Sequence, residues 1–309
     1  VSDAGQRGAA GAAGAQVEAQ AKVNLRLRLL AREASGYHQI ETLFLRLALA
    51  DTVRVRRTTS ARSLDVSGVA AGTTLGPVER NLAWRAADAY ADAAGWRGGF
   101  AIELEKRIPV GGGLGGGSAD AGGVLRILDA IALEPLGDAR LMAIASSLGA
   151  DVPFLTGEHA FALAWGRGER MLALTPPDAR DVVLVVPPIA VNTAEAYGWL
   201  GQSAALHDPR APIAALLEPA RLSDWTTLKS MAVNDFEPVV AARHPVIAQA
   251  VAGMARWPCE VAMMSGSGSV LFGVLRPAAR VEQGTVPETW GRVLRTRSAV
   301  DVEPVRALD

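Results

Sequence analysis

Between a strand-like run and a helix-like run the chain carries the stretch IPVGGGLGGGSADAGG, Ile108–Gly123. Its seven positions from Gly111 to Gly117 hold six glycines and one leucine. Glycine loses more conformational freedom on ordering than any other residue. Six of them between two periodic elements therefore mark a place where side chains would obstruct. A strand, a glycine loop and a helix start form an anion-binding arrangement. Unpaired N–H groups of the first helical turn point at the ligand, and the helix dipole favours negative charge. Glycines let that backbone wrap a phosphate. A flexible linker is the other reading, but tight bracketing by apolar periodic elements is unlike a solvated linker.

The loop is not the common P-loop, which needs a Lys-Ser/Thr pair after its last glycine; Ser118 and Ala119 follow Gly117 here. The dinucleotide fingerprint fits poorly too, because the preceding strand is not the first and the surroundings do not alternate β and α. Gly122 and Gly123 fall inside the following helix, where each costs about 1 kcal/mol against alanine. They read as points of close approach by another backbone or a ligand.

The 309 residues suggest two domains, and half of them are hydrophobic, ample for a packed core. The formal net charge of -1 supplies no global field for nucleic acid or an anionic membrane. Cys259 is the single cysteine, which excludes an internal disulfide and fits a reducing cytoplasm. The four histidines are scattered, so a structural zinc site is not expected. Residues 1–16, rich in alanine and glycine, read as a disordered tail without a signal-peptide core. No run approaches the ~20 apolar residues that span a bilayer.

The run KVNLRLRLL alternates Val23, Leu25, Leu27 and Leu29 against Lys22, Asn24, Arg26 and Arg28, which predicts a half-buried strand. TLFLRLALADTVRVRR reads as two strand segments meeting near Asp51. A helix opens at Asn81 as N-cap and closes at Gly95, and FAIELEKRIP is a strand. The helix after the glycine loop presents Val124, Ile127, Leu128 and Ile131 on one face, and DARLMAIASSLG is a further helix. A composition shift after Trp165 places a domain boundary there, giving an N-terminal domain over 17–165 and a C-terminal domain over 166–309. Hairpin strands follow, then helix around Pro245, then a strand, a Gly/Ser turn and a strand in CEVAMMSGSGSVLFGVL. Antiparallel hairpins mixed with helices predict an α+β fold.

Two further places carry chemistry. LGADVPFL sets Asp151 among apolar residues, where a carboxylate needs partners; read alone, it is a turn-forming residue ahead of Pro153. MSGSGSVLF supplies a second Gly/Ser turn, Ser265–Ser269, read alone as a hairpin connection.

Taken in order, AKVNLRLRLLAREASGYHQIETLF, PVGGGLGGGSADAGGVL, LGADVPF and SGSGSVLFG resemble the GHMP kinases, and the likeness runs over about residues 19–275. The first two blocks are similar to the member acting on a cytidine-diphosphate-linked sugar alcohol, as is VNDFEPVV at 233–240. The resemblance implies a two-domain α+β architecture with the active site in the inter-domain cleft. It implies that Pro109, Val110, Gly111, Gly112, Gly113, Leu114, Gly115, Gly116, Gly117 and Ser118 hold the ATP phosphates. Asp151 would be the catalytic carboxylate and Lys22 its cationic neighbour, with Asn24 on the same strand face. Tyr37 would stack on the cytosine and His38 would hydrogen-bond its edge; Thr193 and Asn81 would add polar contacts. Magnesium is expected with ATP, without a dedicated set of protein ligands. The partners implied are small molecules, not nucleic acid or membrane, for a cytoplasmic monomer or weak homodimer. The family usually shows two adjacent hydroxyl residues after the glycines, where this chain has Ser118 then Ala119.

Phosphoryl transfer asks the protein mainly to position groups and to stabilise spread negative charge. Backbone N–H donors and a lysine do the latter, and a carboxylate orients the attacking hydroxyl. Other readings of the same residues are a solvated strand lysine at Lys22, a loop aromatic with a polar neighbour at Tyr37 and His38, and a helix cap at Asp235. At the level of function, one alternative is a family member for a homoserine-, mevalonate- or sugar-like alcohol, against which Gly36-Tyr37-His38 speaks. Another is a nucleotide-binding sensor without catalysis, against which Lys22 and Asp151 together speak.

Overall fold

The structure, a computed structural model, describes residues 9–32, 38–69, 76–201 and 218–308. Among the described residues, twelve strands and eight α-helices make two sheets with helices packed on them, an α+β architecture. The strands are β1 (Gly14–Arg32), β2 (His38–Thr58), β3 (Arg62–Ser67), β4 (Gly99–Glu105), β5 (Phe161–Gly166), β6 (Arg170–Ala173), β7 (Asp181–Val186), β8 (Val233–Asn234), β9 (Cys259–Met264), β10 (Leu271–Leu275), β11 (Arg292–Arg297) and β12 (Arg306–Ala307). The helices are α1 (Leu82–Ala94), α2 (Gly116–Ile131), α3 (Asp138–Leu148), α4 (Val152–Thr156), α5 (Thr193–Gly201), α6 (Trp225–Met231), α7 (Phe236–Ala241) and α8 (Pro245–Met254). The first sheet runs β12-β1-β2-β4-β3, with β5 on β2, β6 on β5 and β8 on β1; the second runs β11-β7-β10-β9. None of the described helices is long and apolar enough to cross a membrane.

Local signals place many of these elements. Asn81 caps α1, its side chain accepting from the Ala83 N–H at 2.9 Å, and Gly95 closes the helix in the left-handed conformation at φ 59°. Pro245 stands at the start of α8, where a missing N–H is harmless. The four apolar residues expected on one face of α2 are buried, and so are Ala119, Ala121 and Leu125 on its other sides. This helix is central to the larger core, beneath β1 and β2 and beside α1.

Three expectations are corrected. β1 is buried on both faces: Lys22, Asn24 and Arg26 are as hidden as the leucines between them. Distant segments hold its polar residues: Lys22 pairs with Asp151, Asn24 with Thr42, and β8 pairs in parallel at Arg26 and Leu27. Arg26 donates to the Glu41 carboxylate at 2.7 Å and to the Met231 carbonyl at 3.1 Å. The expectation of a disordered tail over residues 1–16 does not hold for residues 9–16. Ala9 is buried, and Gly14–Gln16 pair with Arg54–Arg56 while Ala15 and Gln16 also pair with β12; residues 1–8 lie outside the described residues. Small residues hide a strand whose pairing partner lies at the far end of the chain. The boundary expected after Trp165 falls inside β5, and the first sheet continues through β6 to Ala173. A change of composition there marks an exposed hairpin, and hydrogen bonding keeps that hairpin with the first sheet.

Two elements differ in kind. TLFLRLALADTVRVRR belongs to one 21-residue strand, but its pairing with β1 jumps from Arg46 to Ala50. The segment before the jump pairs with β5 and the one after it with β4. β3, unread in the sequence, pairs in parallel with β4 across α1.

Gly122 shows why α2 carries glycines. A Cβ there would stand 2.7 Å from the Leu155 carbonyl carbon and oxygen, backbone atoms of α4 that cannot yield. At Gly123 the nearest atoms are side-chain methyls of Val17 and Val53 at 3.1 and 3.2 Å. Gly122→Ala is expected to destabilise the protein by about 1–3 kcal/mol through overpacking, despite a helix-propensity gain of about 1 kcal/mol. Gly123→Ala is expected to stay within about 1 kcal/mol of the parent. Urea unfolding of both variants measures the contrast, and equal effects would mean that the α2–α4 contact tolerates a side chain.

Candidate active site

The glycine loop follows β4, meets β1 at Lys22 and opens α2. Gly111, Gly113 and Gly115 have φ of 73°, 79° and 73°, so positive φ recurs at every second residue. Such alternation turns successive N–H groups into one concavity, a nest for an anion. The loop is pinned through its carbonyls. The Lys22 N–H donates to Leu114 O at 3.0 Å, Val270 N–H to Gly112 O at 3.1 Å, and Ser265 Oγ to Gly113 O at 2.9 Å. The second Gly/Ser turn thus lies directly against the first; at Gly113 a Cβ would run into the Ser265 carbonyl.

A cavity of ≈ 420 Å³ opens along the loop. Val66, Leu82 and Leu104 give it an apolar end, and Pro109 to Ser118 form its wall. Asn81, Lys106, Asp120 and Thr193 add polar groups. All ten residues expected to hold the nucleotide phosphates line this cavity. Ser118 supplies the hydroxyl there, and Ala119 is buried in the core. Thr193, expected to add a polar contact, lies at this cavity and shares a 2.8 Å hydrogen bond with Ser267 of the second turn.

Lys22 and Asp151 meet. Lys22 Nζ stands 3.1 Å from Asp151 Oδ2 and donates to Asn24 Oδ1 at 2.8 Å. The lysine side chain is 3% exposed and the aspartate side chain 29%, so the carboxylate is the member that a ligand can reach. Asp151 is the N-cap residue of α4, yet its carboxylate makes no capping bond; the turn-forming role does not use the charge. Asn24 is held in turn, its Nδ2 donating to Thr42 Oγ1 at 2.8 Å, and that hydroxyl donates to the Arg26 carbonyl at 2.7 Å. The solvated-lysine reading of Lys22 is thereby excluded. The ammonium lies 5.5 Å from the centre of the Phe44 ring and close to both turns: Cβ atoms at Gly115 and Gly266 would fall 3.1 Å from its Cε and 3.6 Å from its Nζ.

Beside Asp151 lies an aromatic cluster. His38 stacks on Tyr197 at 4.9 Å and 22°, and Tyr197 meets Phe236 edge-on at 4.9 Å. Burial first, and the Asp151 charge second, raise the Tyr197 phenol above its ordinary value. Tyr197 was missed in the sequence, where the signal VNTAEAY pointed only to its neighbour Thr193. Tyr37 lies outside the described residues. Asp235 sits at the N-cap of α7 without capping it; its carboxylate accepts from Leu29 N–H at 2.8 Å and pairs with Arg28 at 3.3 Å. Neighbouring Asn234 instead donates to the Met264 and Gly266 carbonyls, both at 2.8 Å, holding the second turn in place.

Residues 81–158 match the GHMP kinases N terminal domain and residues 213–285 the GHMP kinases C terminal domain. The chain belongs to the GHMP kinase family. It is 35% identical over 300 residues to a 4-diphosphocytidyl-2-C-methyl-D-erythritol kinase of Heliobacterium modesticaldum, covering 91% of this chain and 94% of the relative. It is 37% identical over 283 residues to the protein of the same name from Geobacter sp. strain M21, covering 89% and 95%. A crystal structure of 4-(cytidine 5'-diphospho)-2C-methyl-D-erythritol kinase superimposes with a TM-score of 0.71 at 34% identity, over 92% of this chain and 98% of that one. A homoserine kinase from Cytophaga hutchinsonii shares the fold, with a TM-score of 0.70 at 17% identity over 96% and 98%.

At the base of the loop, burial pushes the Asp120 carboxyl from 3.8 up to about 7, against the pull of the Lys106 ammonium. Between those values the native state holds a proton that the unfolded chain has lost, so this group lowers stability as pH rises from about 4 to 7. Asp120→Asn removes the titration. The variant is expected to gain on the parent by on the order of 1 kcal/mol per pH unit across that window, and to run parallel to it above. Denaturant midpoints from pH 4 to 8 test this; a constant difference would show that Asp120 ionises normally.

Proposed function

We propose that this chain transfers the γ-phosphoryl group of ATP to the 2-hydroxyl of 4-diphosphocytidyl-2-C-methyl-D-erythritol, a step of the non-mevalonate isoprenoid precursor pathway. The observation that carries the reading is the Lys22–Asp151 pair, 3.1 Å apart and set where the two glycine turns touch. The names of relatives at 35% and 37% identity over nearly their whole length support the choice of acceptor. The reaction belongs to the cytoplasm.

The nest of the glycine loop and the first turn of α2 receive the phosphates, while the apolar end at Val66, Leu82 and Leu104 suits the adenine. A magnesium ion accompanying the nucleotide would supply neutralisation of phosphate charge. The acceptor hydroxyl is oriented by the exposed oxygen side of Asp151. Its oxygen forms the new bond to phosphorus as the bond from phosphorus to the bridging oxygen of ADP breaks, and Asp151 takes the proton late. Lys22 faces the charge spread over the transferring group. Asn24 keeps Lys22 in that direction. The cytosine stacks at the aromatic cluster of His38 and Tyr197, and Tyr37 is assigned to the same base by the family resemblance.

Asp151→Asn preserves shape and removes charge. kcat is expected to fall by about 10²–10⁴-fold, the usual span for a positioned acid or base, with KM for ATP little changed. Lys22→Met should act similarly, and the double variant should be little worse than the poorer single one, since residues acting as a unit are not additive. A folded Asp151→Asn enzyme keeping more than about a tenth of the parental kcat would remove Asp151 from the chemistry.

Base stacking on an aromatic ring is worth ~1–3 kcal/mol, which is roughly five- to 150-fold in affinity. Tyr37→Ala and Tyr197→Ala are expected to raise KM for the cytidine acceptor within that range and to leave KM for ATP nearly unchanged. Steady-state kinetics with each substrate varied in turn decides it. Equal rises for both substrates would argue for a different acceptor alcohol.

A further inference from the structure

Beneath the glycine loop lies a buried ion cluster that the phosphoryl-transfer chemistry above does not use. Lys106, immediately after β4, donates from Nζ to Oδ2 of Asp51 and to Oδ2 of Asp120. Asp51, on β2, accepts at its other oxygen from the N–H groups of Arg107 and Ile108, the latter at 2.8 Å. The Lys106 N–H itself is bonded to Ser67 O at 2.9 Å. All three side chains are buried, and Asp120 Oδ1 has no protein partner. Burial opposes the Lys106 charge, but the two carboxylates outweigh it and raise its pKa.

The position of the cluster matters more than its charge. Residues 106–108 are the entry to the glycine loop, and Asp120 stands on α2 just past its exit. One ammonium therefore joins the two ends of a loop whose middle is mostly glycine. Lys106 and Asp120 both line the cavity that the loop walls, and a Cβ at Gly116 would fall 3.6 Å from Lys106 Nζ. A buried ion pair is a poor stabiliser of a fold, and apolar residues of similar size commonly serve as well or better. A loop rich in glycine, by contrast, gains binding strength from anything that limits its conformations before the ligand arrives.

We propose that Asp51, Lys106 and Asp120 are positioning residues for the nucleotide, a clamp that holds both ends of the glycine loop so that its N–H groups are set for phosphate in the free protein. The proposal rests on the reading of this loop as the ATP site. The clamp acts through the backbone and touches no reacting atom.

Asp120→Leu cuts the clamp while leaving Lys106 paired with Asp51, so the buried charges balance. Asp120→Asn keeps an acceptor for Lys106. The full-length chain and both variants are compared by calorimetric titration with ADP and ATP, by KM for each substrate, and by thermal unfolding without nucleotide. Loss of one charged hydrogen bond predicts that Asp120→Leu raises Kd for ADP and KM for ATP by about tenfold or more, with KM for the acceptor within about twofold and the unfolding midpoint not lowered. Asp120→Asn should return both nucleotide constants to within about threefold of the parent. A merely structural cluster would move the midpoint and leave the ratio of the two KM values alone. Nucleotide constants in folded Asp120→Leu within about twofold of the parent, or equal rises for both substrates, overturn the clamp. If Asp120→Leu does not fold, Asp120→Ser, too short to reach Lys106, takes its place under the same expectations. A parental chain that binds neither ADP nor ATP overturns the reading of the site itself, and the clamp with it; a parent that binds beside an unaffected variant overturns the clamp alone.

Discussion

The carbonyls of Gly112, Gly113 and Leu114 accept from Val270, Ser265 and Lys22, and the site depends on those hydrogen bonds. They hold the loop between β1 and the β9–β10 turn, so that one stretch of backbone is gripped from two sheets. With those carbonyls bound, the loop backbone is fixed along the cavity that it lines. Contact this close requires glycine on both sides of it, which is why the second Gly/Ser turn is part of the site and not an ordinary hairpin connection.

The same junction solves a problem of charge. An ammonium 3% exposed is costly to bury unless acceptors surround it. Lys22 finds Asp151 and Asn24, and Thr42 secures Asn24 in turn. Asp151 has to be delivered from a different part of the chain, and Arg46 helps to deliver it. Arg46 sits opposite Lys22 in the β1–β2 register. It donates to the carbonyls of Phe154 at 2.7 Å, Gly157 at 2.8 Å and His159 at 3.0 Å, at the C-terminal end of the helix that Asp151 begins. Orphan carbonyls of a helix end are natural acceptors for a cation. Burial draws the Arg46 pKa down to about 9. Gly122 completes the placement by letting α2 touch the backbone of α4.

Most individual elements were legible because their signals are local. Asn81 and Gly95 bracket α1, the alternation of FAIELE marks β4, and Pro245 opens α8. The failures share one cause. β3, the pairing of Gly14–Gln16, and the hairpin past Trp165 are defined by partners distant in sequence, and short or small-residue strands carry little pattern of their own. Tyr197 belongs with these: nothing in VNTAEAY says that its ring will stack on His38, 159 positions earlier in the numbering.

By itself the sequence determined that a glycine loop joins a strand to a helix, that Lys22 and Asn24 share a strand face, and that Asp151 needs a partner among apolar neighbours. Those properties follow from period, backbone freedom and the cost of burying charge, which act over a few residues. Only the tertiary structure decided that Asp151 caps nothing, that the polar face of β1 is buried, and that Lys106 ties the two ends of the loop. Each of these depends on which element covers which face, and that is settled by packing between segments far apart in the chain.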